Sequence, residues 1–269
     1  MAGRHPDHHR RRSRRFALGY GSTSSGGPAF LIAVFGRFLK FLIALALIPL
    51  VAGEIWTLID LARLSVPVGQ WKAGWFISFS AGFVAWFLIF LFLPRTMWLY
   101  VLGHEFTHAL AAMIAGGKVS AFKVTSKGGH VMTDKVNWWI ALSPYFVPIY
   151  ALIWIGLWLT VDFYYPLRQW QPVLFFGIGL FWSFHLTFTW SMLHPRQTDL
   201  SGEGYVFSGI VIALMNLLTM LLLLSVLVHD FAMAWHLFLH RIGQCYVFTG
   251  HEIMRGVAWA QNAWQTRHI

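Results

Sequence analysis

Two histidines and a glutamate near the middle of the chain have the types and spacing of a metal-dependent hydrolase site. The stretch reads His104-Glu105-Phe106-Thr107-His108, and the apolar residues on both sides of it predict a helix. Positions four apart lie on one face of a helix, so both imidazoles can bind one metal ion. Glu105 lies one residue on, rotated by about 100°, from where its carboxylate can reach a water bound to that metal.

Zinc is a metal that two imidazoles and one carboxylate commonly hold, and it lowers the pKa of its bound water toward about 7. The pattern therefore predicts a zinc hydrolase site with Glu105 as general base. The alternative is an accidental match in which the histidines are ordinary surface residues. Three ionisable side chains inside an apolar run would each cost on the order of a few kcal/mol without a partner, and this favours the metal site.

A catalytic zinc ion held by two histidines needs a third protein ligand. Ionisable residues beside predicted membrane segments and on predicted connections are the candidates, and the residues alone leave the choice open. Beside the segments lie His185, His194, Asp199 and Glu203, and on connections lie Glu54, Asp60 and Asp162. His185 has a second interpretation, because a buried histidine can also serve as a structural hydrogen-bonding group.

The elements that position these residues are predicted to lie in a membrane. The chain is 57% hydrophobic and 11% charged, with a mean hydropathy of +0.59, whereas soluble domains average about 25% charged residues. Six of the twenty basic residues fall in the first fifteen positions, and most of the others lie near the ends of apolar segments. This distribution is typical of a membrane protein and argues against nucleic acid as a partner of the +10 chain. A lone cysteine, Cys245, excludes an internal disulfide and a multi-cysteine metal site.

Apolar segments of about membrane-spanning length predict an all-α, multi-pass integral membrane protein with about six transmembrane helices. Between the third and fourth segments, residues 119–125 and 130–133 flank Ser126-Lys127-Gly128-Gly129, which predicts a short membrane-associated β-hairpin. The segments are 30–52, 71–93, 97–116, 137–161, 172–193 and 205–228.

Two tails flank this predicted membrane domain of residues 30–228. Residues 1–29 form a basic, disordered tail whose arginines at 10–15 are expected to contact anionic lipid. Residues 229–269 mix apolar residues with histidine and arginine, and predict an amphipathic interfacial helix. His236 and His240 in this tail repeat the four-residue spacing without a glutamate, so a polar helix stripe is the favoured interpretation.

The stretch from His104 to Ala112, followed by Gly116-Gly117-Lys118-Val119 and by Gly128-Gly129, resembles the site-2 protease family of intramembrane zinc metalloproteases. The resemblance covers about residues 97–228, which it implies are the metalloprotease core. It implies that Leu142-Ser143-Pro144-Tyr145 takes the place of the family's Gly-Pro-x-x-Asn-like element, where Ser143 and Pro144 are possible residues of the active cavity. It also implies that Asp199, within the stretch from Leu193 to Gly202, is the third zinc ligand.

This sequence departs from the family pattern in two places. No asparagine follows Pro144, so the polar contribution to the transition state at that element is unassigned. Asp199 is followed by Leu200-Ser201-Gly202 and not directly by glycine, which leaves the geometry of that loop open.

The predicted function is hydrolysis of peptide bonds in membrane-embedded or membrane-adjacent proteins and peptides, with zinc on His104, His108 and Asp199. Possible residues of the active cavity are His185, Ser143 and Pro144. One alternative is a non-catalytic relative that binds membrane partners, against which the presence of Glu105 argues. A second is a di-iron membrane oxygenase with histidine boxes, of which the second would be His5, His8 and His9 in the tail.

Two features of the sequence predict opposite orientations of the chain in the membrane. The N-terminal arginines favour a cytosolic start, and six spans then place the hairpin outside the cytosol. The family resemblance implies that the hairpin and the active site lie near the cytosol. Either segment 30–52 does not fully span, or residues 71–116 form one bent unit. The hairpin region in question carries Lys118, Lys123, Lys127 and Lys135.

Overall fold

The computed structural model describes residues 28–65, 74–94, 97–125, 128–193, 197–227 and 230–266. Outside these ranges lie the arginine-rich stretch at residues 10–15 and the histidines His5, His8, His9 and His194. Within them, nine α-helices, two short 3-10 turns and one two-stranded antiparallel sheet account for most of the chain. The helices are α1 (Pro28–Ser65), α2 (Gly74–Phe92), α3 (Met97–Ile114), α4 (Trp138–Leu142), α5 (Ile149–Tyr164), α6 (Gln171–Met192), α7 (Thr198–Glu203), α8 (Tyr205–Leu227) and α9 (Phe231–Gln265). The strands are β1 (Val119–Thr125) and β2 (Gly128–Thr133), and the 3-10 turns are Ser143–Tyr145 and Arg168–Trp170.

Four helices in the described ranges are long and apolar enough to cross a membrane, which supports a membrane protein. They occupy Phe30–Leu64, Gly74–Phe92, Arg168–Met192 and Tyr205–Ser225. A fifth crossing is available if Trp138–Tyr145 and Ile149–Tyr164, which meet at an angle of 78°, form one broken span. The predicted six crossings are therefore not confirmed, because α3 does not meet the same criterion and the fourth segment is bent.

The first helix is longer than predicted. It continues to Ser65, past the expected end near residue 52, with Pro49 inside it. Glu54 and Asp60 were expected on a connection, but both lie within this helix. Their side chains therefore face other helices, and Glu54 is only 1% exposed.

Helices α2 and α6 approach each other until their backbones touch. A Cβ on Gly82 would overlap the carbonyl of Phe176, and a Cβ on Gly179 would overlap the carbonyl of Phe79. Glycine at both positions removes the side chains that would otherwise separate the helices. Close approach of this kind is the usual role of small residues between membrane helices.

Aromatic pairs give the relative directions of the apolar helices. Trp75 lies beside Phe175 at the start of α2 and α6, and Phe90 lies beside Phe188 near their ends, so these two helices run in the same direction. Helix α5 runs opposite to α6, because Tyr150 near its start contacts Phe184 near the end of α6.

Helices α1 and α8 also run in the same direction. Ala44 packs in one cluster with Phe207 near the start of α8, and Leu61 packs in another with Leu221 near its end. The starts of α5 and α8 and the ends of α2 and α6 consequently lie at one end of the bundle. We call this end the site end, because α3, α4 and α7 lie there.

The C-terminal tail forms a helix, α9, which packs along α1 in the opposite direction, and its place at a membrane interface stays a prediction. The hydroxyl of Tyr246 donates to the carbonyl of Ala46 over 2.8 Å, and Arg241 pairs with Asp60 over 2.6 Å. The side chains of His236 and His240 are exposed, which agrees with a polar stripe.

The predicted hairpin is present, with one correction. Strand β2 begins at Gly128, so Gly128 and Gly129 pair with Thr125 and Val124 and do not form the turn. Ser126 and Lys127 lie outside the described residues. Both strands pack on α3, and this places the sheet directly beside the histidine pair.

Candidate metal centre

Helix α3 presents His104 and His108 on its buried face. Because the two residues are one helical turn apart, their Nε2 atoms lie 3.2 Å from each other. The two side chains are 12% and 8% exposed, respectively. Two imidazoles whose Nε2 atoms converge at a nearly buried site can bind one cation together.

Asp199 approaches the histidines from the short helix α7. Its Oδ2 lies 3.5 Å from the Nε2 of His104 and 3.5 Å from the Nε2 of His108. The helix carrying it ends at Gly204, whose φ of 95° lets the chain turn directly into α8. The structure therefore brings together the three residues that the sequence resemblance selected.

The geometry of these three donors fits zinc. Tetrahedral zinc with bonds of about 2.0–2.1 Å holds its nitrogen and oxygen ligands about 3.3 Å apart. The three separations here are 3.2, 3.5 and 3.5 Å. Two neutral nitrogens and one carboxylate also match the donor types that zinc prefers.

Hydrogen bonds at the other ring nitrogens orient both imidazoles. His108 Nδ1 donates to the carbonyl of Ile140 over 2.7 Å, and His104 Nδ1 lies 3.1 Å from the hydroxyl of Tyr100. A proton on Nδ1 leaves the lone pair on Nε2, the atom that faces Asp199. Partners of this kind fix the tautomer and the ring orientation of metal-binding histidines.

Glu105 lies against strand β2 of the hairpin. A Cβ on Gly129 would lie 2.5 Å from the Cγ of Glu105, so only glycine lets β2 come this close. The Glu105 side chain is buried beneath the strand. The general-base candidate is thereby held between the metal ligands and the sheet.

Burial raises the pKa of the Asp199 carboxyl, but hydrogen bonds and positive charge from His104 and His108, in their protonated form, outweigh burial and hold this pKa well below its usual range. The anionic form is the one that binds a cation.

Residues predicted for the active cavity separate into two groups. His185 and Pro144 line a cavity beside His104 that has room for about one water molecule. Ser143 does not line it, since its fully buried hydroxyl donates to the carbonyl of Ile140 over 3.2 Å. His185 both lines the cavity and contacts Asn216, at 3.3 Å.

Most of the other third-ligand candidates lie elsewhere. Glu203 ends α7, is 2% exposed and pairs with Lys40 of α1. Asp162 accepts a hydrogen bond from the backbone of Leu167. Asp60 pairs with Arg241 in the contact between α1 and α9.

Sequence reasoning missed Tyr100, Tyr145 and Asn216. The hydroxyl of Tyr145 donates to Oδ2 of Asp199 over 3.1 Å. Tyr100 could have been found, because it precedes His104 by one helical turn. Asn216 is an isolated amide within an apolar run, which is itself a signal. Nothing in the sequence links Tyr145 to Asp199, since 54 positions separate them.

Comparisons of this chain with protein-family models, with curated proteins and with solved structures found no match.

Proposed function

We propose that this chain is an intramembrane zinc metallopeptidase that hydrolyses peptide bonds within or next to the bilayer. The convergence of His104, His108 and Asp199 at distances of a tetrahedral zinc site supports this most directly. The position of Glu105, next to the first ligand and buried against the hairpin, supports hydrolysis over a purely structural metal.

Each residue has a defined task in this proposal. A bound zinc ion supplies Lewis acidity at the scissile carbonyl. His104, His108 and Asp199 would hold it: the Nδ1–H of His108 donates to the carbonyl of Ile140 and leaves its Nε2 free to bind, and the Tyr100 hydroxyl orients the His104 ring. Glu105 takes a proton from the attacking water and passes it to the leaving amine.

We further propose that five helices, α1, α2, α5, α6 and α8, cross the membrane. With these helix directions, α2 ends at the site end of the bundle and α5 begins at the same end. The chain from α3 to α4 can then lie at the site end without a crossing by α3. The N-terminus of α1 lies at this end too, because Lys40 pairs with Glu203 just before α8.

This arrangement removes the orientation conflict. Lys118, Lys123 and Lys135 of the hairpin region and Arg37 and Lys40 of α1 belong to one side of the membrane in this proposal. Toward the far side lie Arg63 at the end of α1, Arg168 just before α6, and Arg241, which is paired with Asp60 of α1. The excess of positive charge assigns the site end to the cytosol.

The substrate is a membrane-embedded or membrane-adjacent segment that unwinds locally, because a helix hides its peptide bonds. The hairpin can pair with such an extended segment by β-augmentation. Gly129 of β2 lies against Glu105, so a segment paired along that strand would pass close to the general base.

The test is cleavage of a reporter that carries a transmembrane helix, by the purified chain reconstituted in vesicles. The Glu105→Gln variant removes the base at nearly constant side-chain size, so cleavage should fall by about 10²–10⁴-fold while zinc stays bound. Cleavage within a few-fold of the unchanged chain would contradict the assigned role. Absence of cleavage by the unchanged chain, with zinc bound, would favour the non-catalytic relative.

A further inference from the structure

We propose that Tyr145 is a positioning residue for the Asp199 carboxylate, and that Asn216 and His185 hold Tyr145 in place from two other helices. The inference rests on the proposed metal centre and assigns a task to residues that the catalytic proposal does not use. It concerns how firmly the third ligand is held.

The hydroxyl of Tyr145 donates to the same carboxylate oxygen that faces both histidines. Its distance to Oδ2 of Asp199 is 3.1 Å, and Oδ2 is the atom 3.5 Å from each Nε2. The Tyr145 ring meets the His104 ring edge to face at 5.2 Å. Tyr145 is fully buried, so no solvent competes for this hydrogen bond. The hydroxyl therefore restricts rotation of the carboxylate and keeps one oxygen directed at the histidines.

Tyr145 lies where the chain bends between α4 and α5, and its backbone is held from outside the bend. Its carbonyl accepts a hydrogen bond from Nδ2 of Asn216 on α8 over 2.9 Å. Thr189 on α6 approaches the same carbonyl at 3.5 Å. The position of the aromatic ring is thus tied to two apolar helices.

His185 fixes which way the Asn216 amide points. Nε2 of His185 lies 3.3 Å from Oδ1 of Asn216, and Nδ2 of Asn216 donates both to Tyr145 and to the carbonyl of Ile212 at 2.8 Å. A flipped amide would direct its oxygen at two carbonyls and lose both bonds. With a proton on Nε2, His185 donates to Oδ1 and selects the orientation that supports Tyr145.

Isolated polar side chains inside apolar segments are costly, and here two of them satisfy each other. The chain of contacts runs from His185 through Asn216 and Tyr145 to Asp199, and it joins α6, α8, the bend after α4 and α7. Outer partners of metal ligands typically contribute about 10–100-fold to metal affinity.

The test measures the zinc dissociation constant by chelator competition in the full-length chain. Tyr145→Phe should raise this constant by about 10–100-fold, and the visible absorption spectrum of the Co²⁺-loaded chain should change because the carboxylate is reoriented. Tyr246→Phe is the control. It loses a hydroxyl bond from α9 to a backbone carbonyl of α1, without contact to a proposed metal ligand, and should leave both readings unchanged.

Asn216→Leu should weaken zinc binding in the same direction. The double variant Tyr145→Phe/Asn216→Leu should lose no more than the larger single loss, since both act on Asp199 through one path. An unchanged dissociation constant and Co²⁺ spectrum in Tyr145→Phe would overturn the inference and leave the metal centre standing. Additive losses would overturn the role of Asn216. An unchanged chain that binds no zinc would overturn the proposed function and this inference together.

Discussion

Two polar clusters lie among the apolar helices of this chain, and they differ in how their charges are balanced. Between α1 and α9, Asp60 meets Arg241 over 2.6 Å, so each charge has its counter-ion within the protein. In the metal centre, two imidazole nitrogens and a carboxylate oxygen converge, and no lysine or arginine of the described residues pairs with the carboxylate. The first cluster is complete as it stands, whereas the second has the donors of a cation site.

The comparison extends to the outer hydrogen bonds. In the metal centre, His104, His108 and Asp199 each have a further partner that orients the binding atom. Beside the α1–α9 contact, Oε2 of Glu54 is buried and finds no partner among the described residues. Preorganisation of donors distinguishes a binding site from a place where polar atoms are merely buried.

The largest effect is expected from replacing the proposed third ligand, Asp199. Asp199→Ala should lower zinc affinity by more than the roughly 100-fold that loss of an outer partner can cost, and should abolish cleavage. Glu203→Ala and His194→Ala should keep zinc near one ion per chain. Metal analysis of the three purified variants is the measurement.

The Glu203→Ala variant should nevertheless be less stable, by about 1–3 kcal/mol, because it leaves Lys40 without its partner. If Glu203→Ala removes the zinc and Asp199→Ala retains it, the third ligand is Glu203 and not Asp199. The alignment to the family's aspartate motif is then wrong.

A smaller effect is expected where the hairpin meets the general base. Gly129→Ala places a methyl group against the Cγ of Glu105, so either the strand or the carboxylate must move. Displacements of about 1 Å can cost about 10²-fold in rate, and we expect cleavage to fall by about 10–100-fold with zinc retained.

Gly250→Ala on α9, where an added Cβ meets nothing within 4 Å, is the control for a glycine exchange. Full activity of Gly129→Ala would mean that the close contact between hairpin and Glu105 has no role in catalysis.

The smallest effects are expected on the stability of the fold, where the two α1 carboxylates, Asp60 and Glu54, should differ. Arg241→Met leaves Asp60 without its counter-ion and should destabilise the fold by about 1–3 kcal/mol. Glu54→Leu removes a buried oxygen without a partner, and should stabilise the fold by about 1–2 kcal/mol. Thermal unfolding in detergent measures both, and zinc content should not change in either. Equal destabilisation by both variants would show that Glu54 has a partner in the membrane.

The sequence predicted the parts of this structure that depend on local pattern. The helix through His104 and His108 and the hairpin after it follow from short-range spacing, and the structure has both. The grouping with Asp199 came from the family resemblance, since nothing local links residues so far apart. The zinc role of all three stays a prediction.

What the sequence did not reveal depends on contacts between distant elements. Hydropathy identifies apolar stretches but not how they are arranged, so the segment that contains α3 was predicted as one of six transmembrane helices. Gly128 and Gly129 have turn composition, yet the close approach to Glu105 requires a glycine inside the strand. Glu203 stayed among the candidates for the third ligand because its partner, Lys40, lies 163 positions away in the sequence.

The metal content of the purified chain tests the central claim most directly. We predict about one zinc ion per chain, since one group of three converging ligands is present in the described residues. The variant His104→Ala/His108→Ala should contain none while retaining its helical circular dichroism. Stoichiometric zinc in that double variant would contradict the assignment of the metal centre.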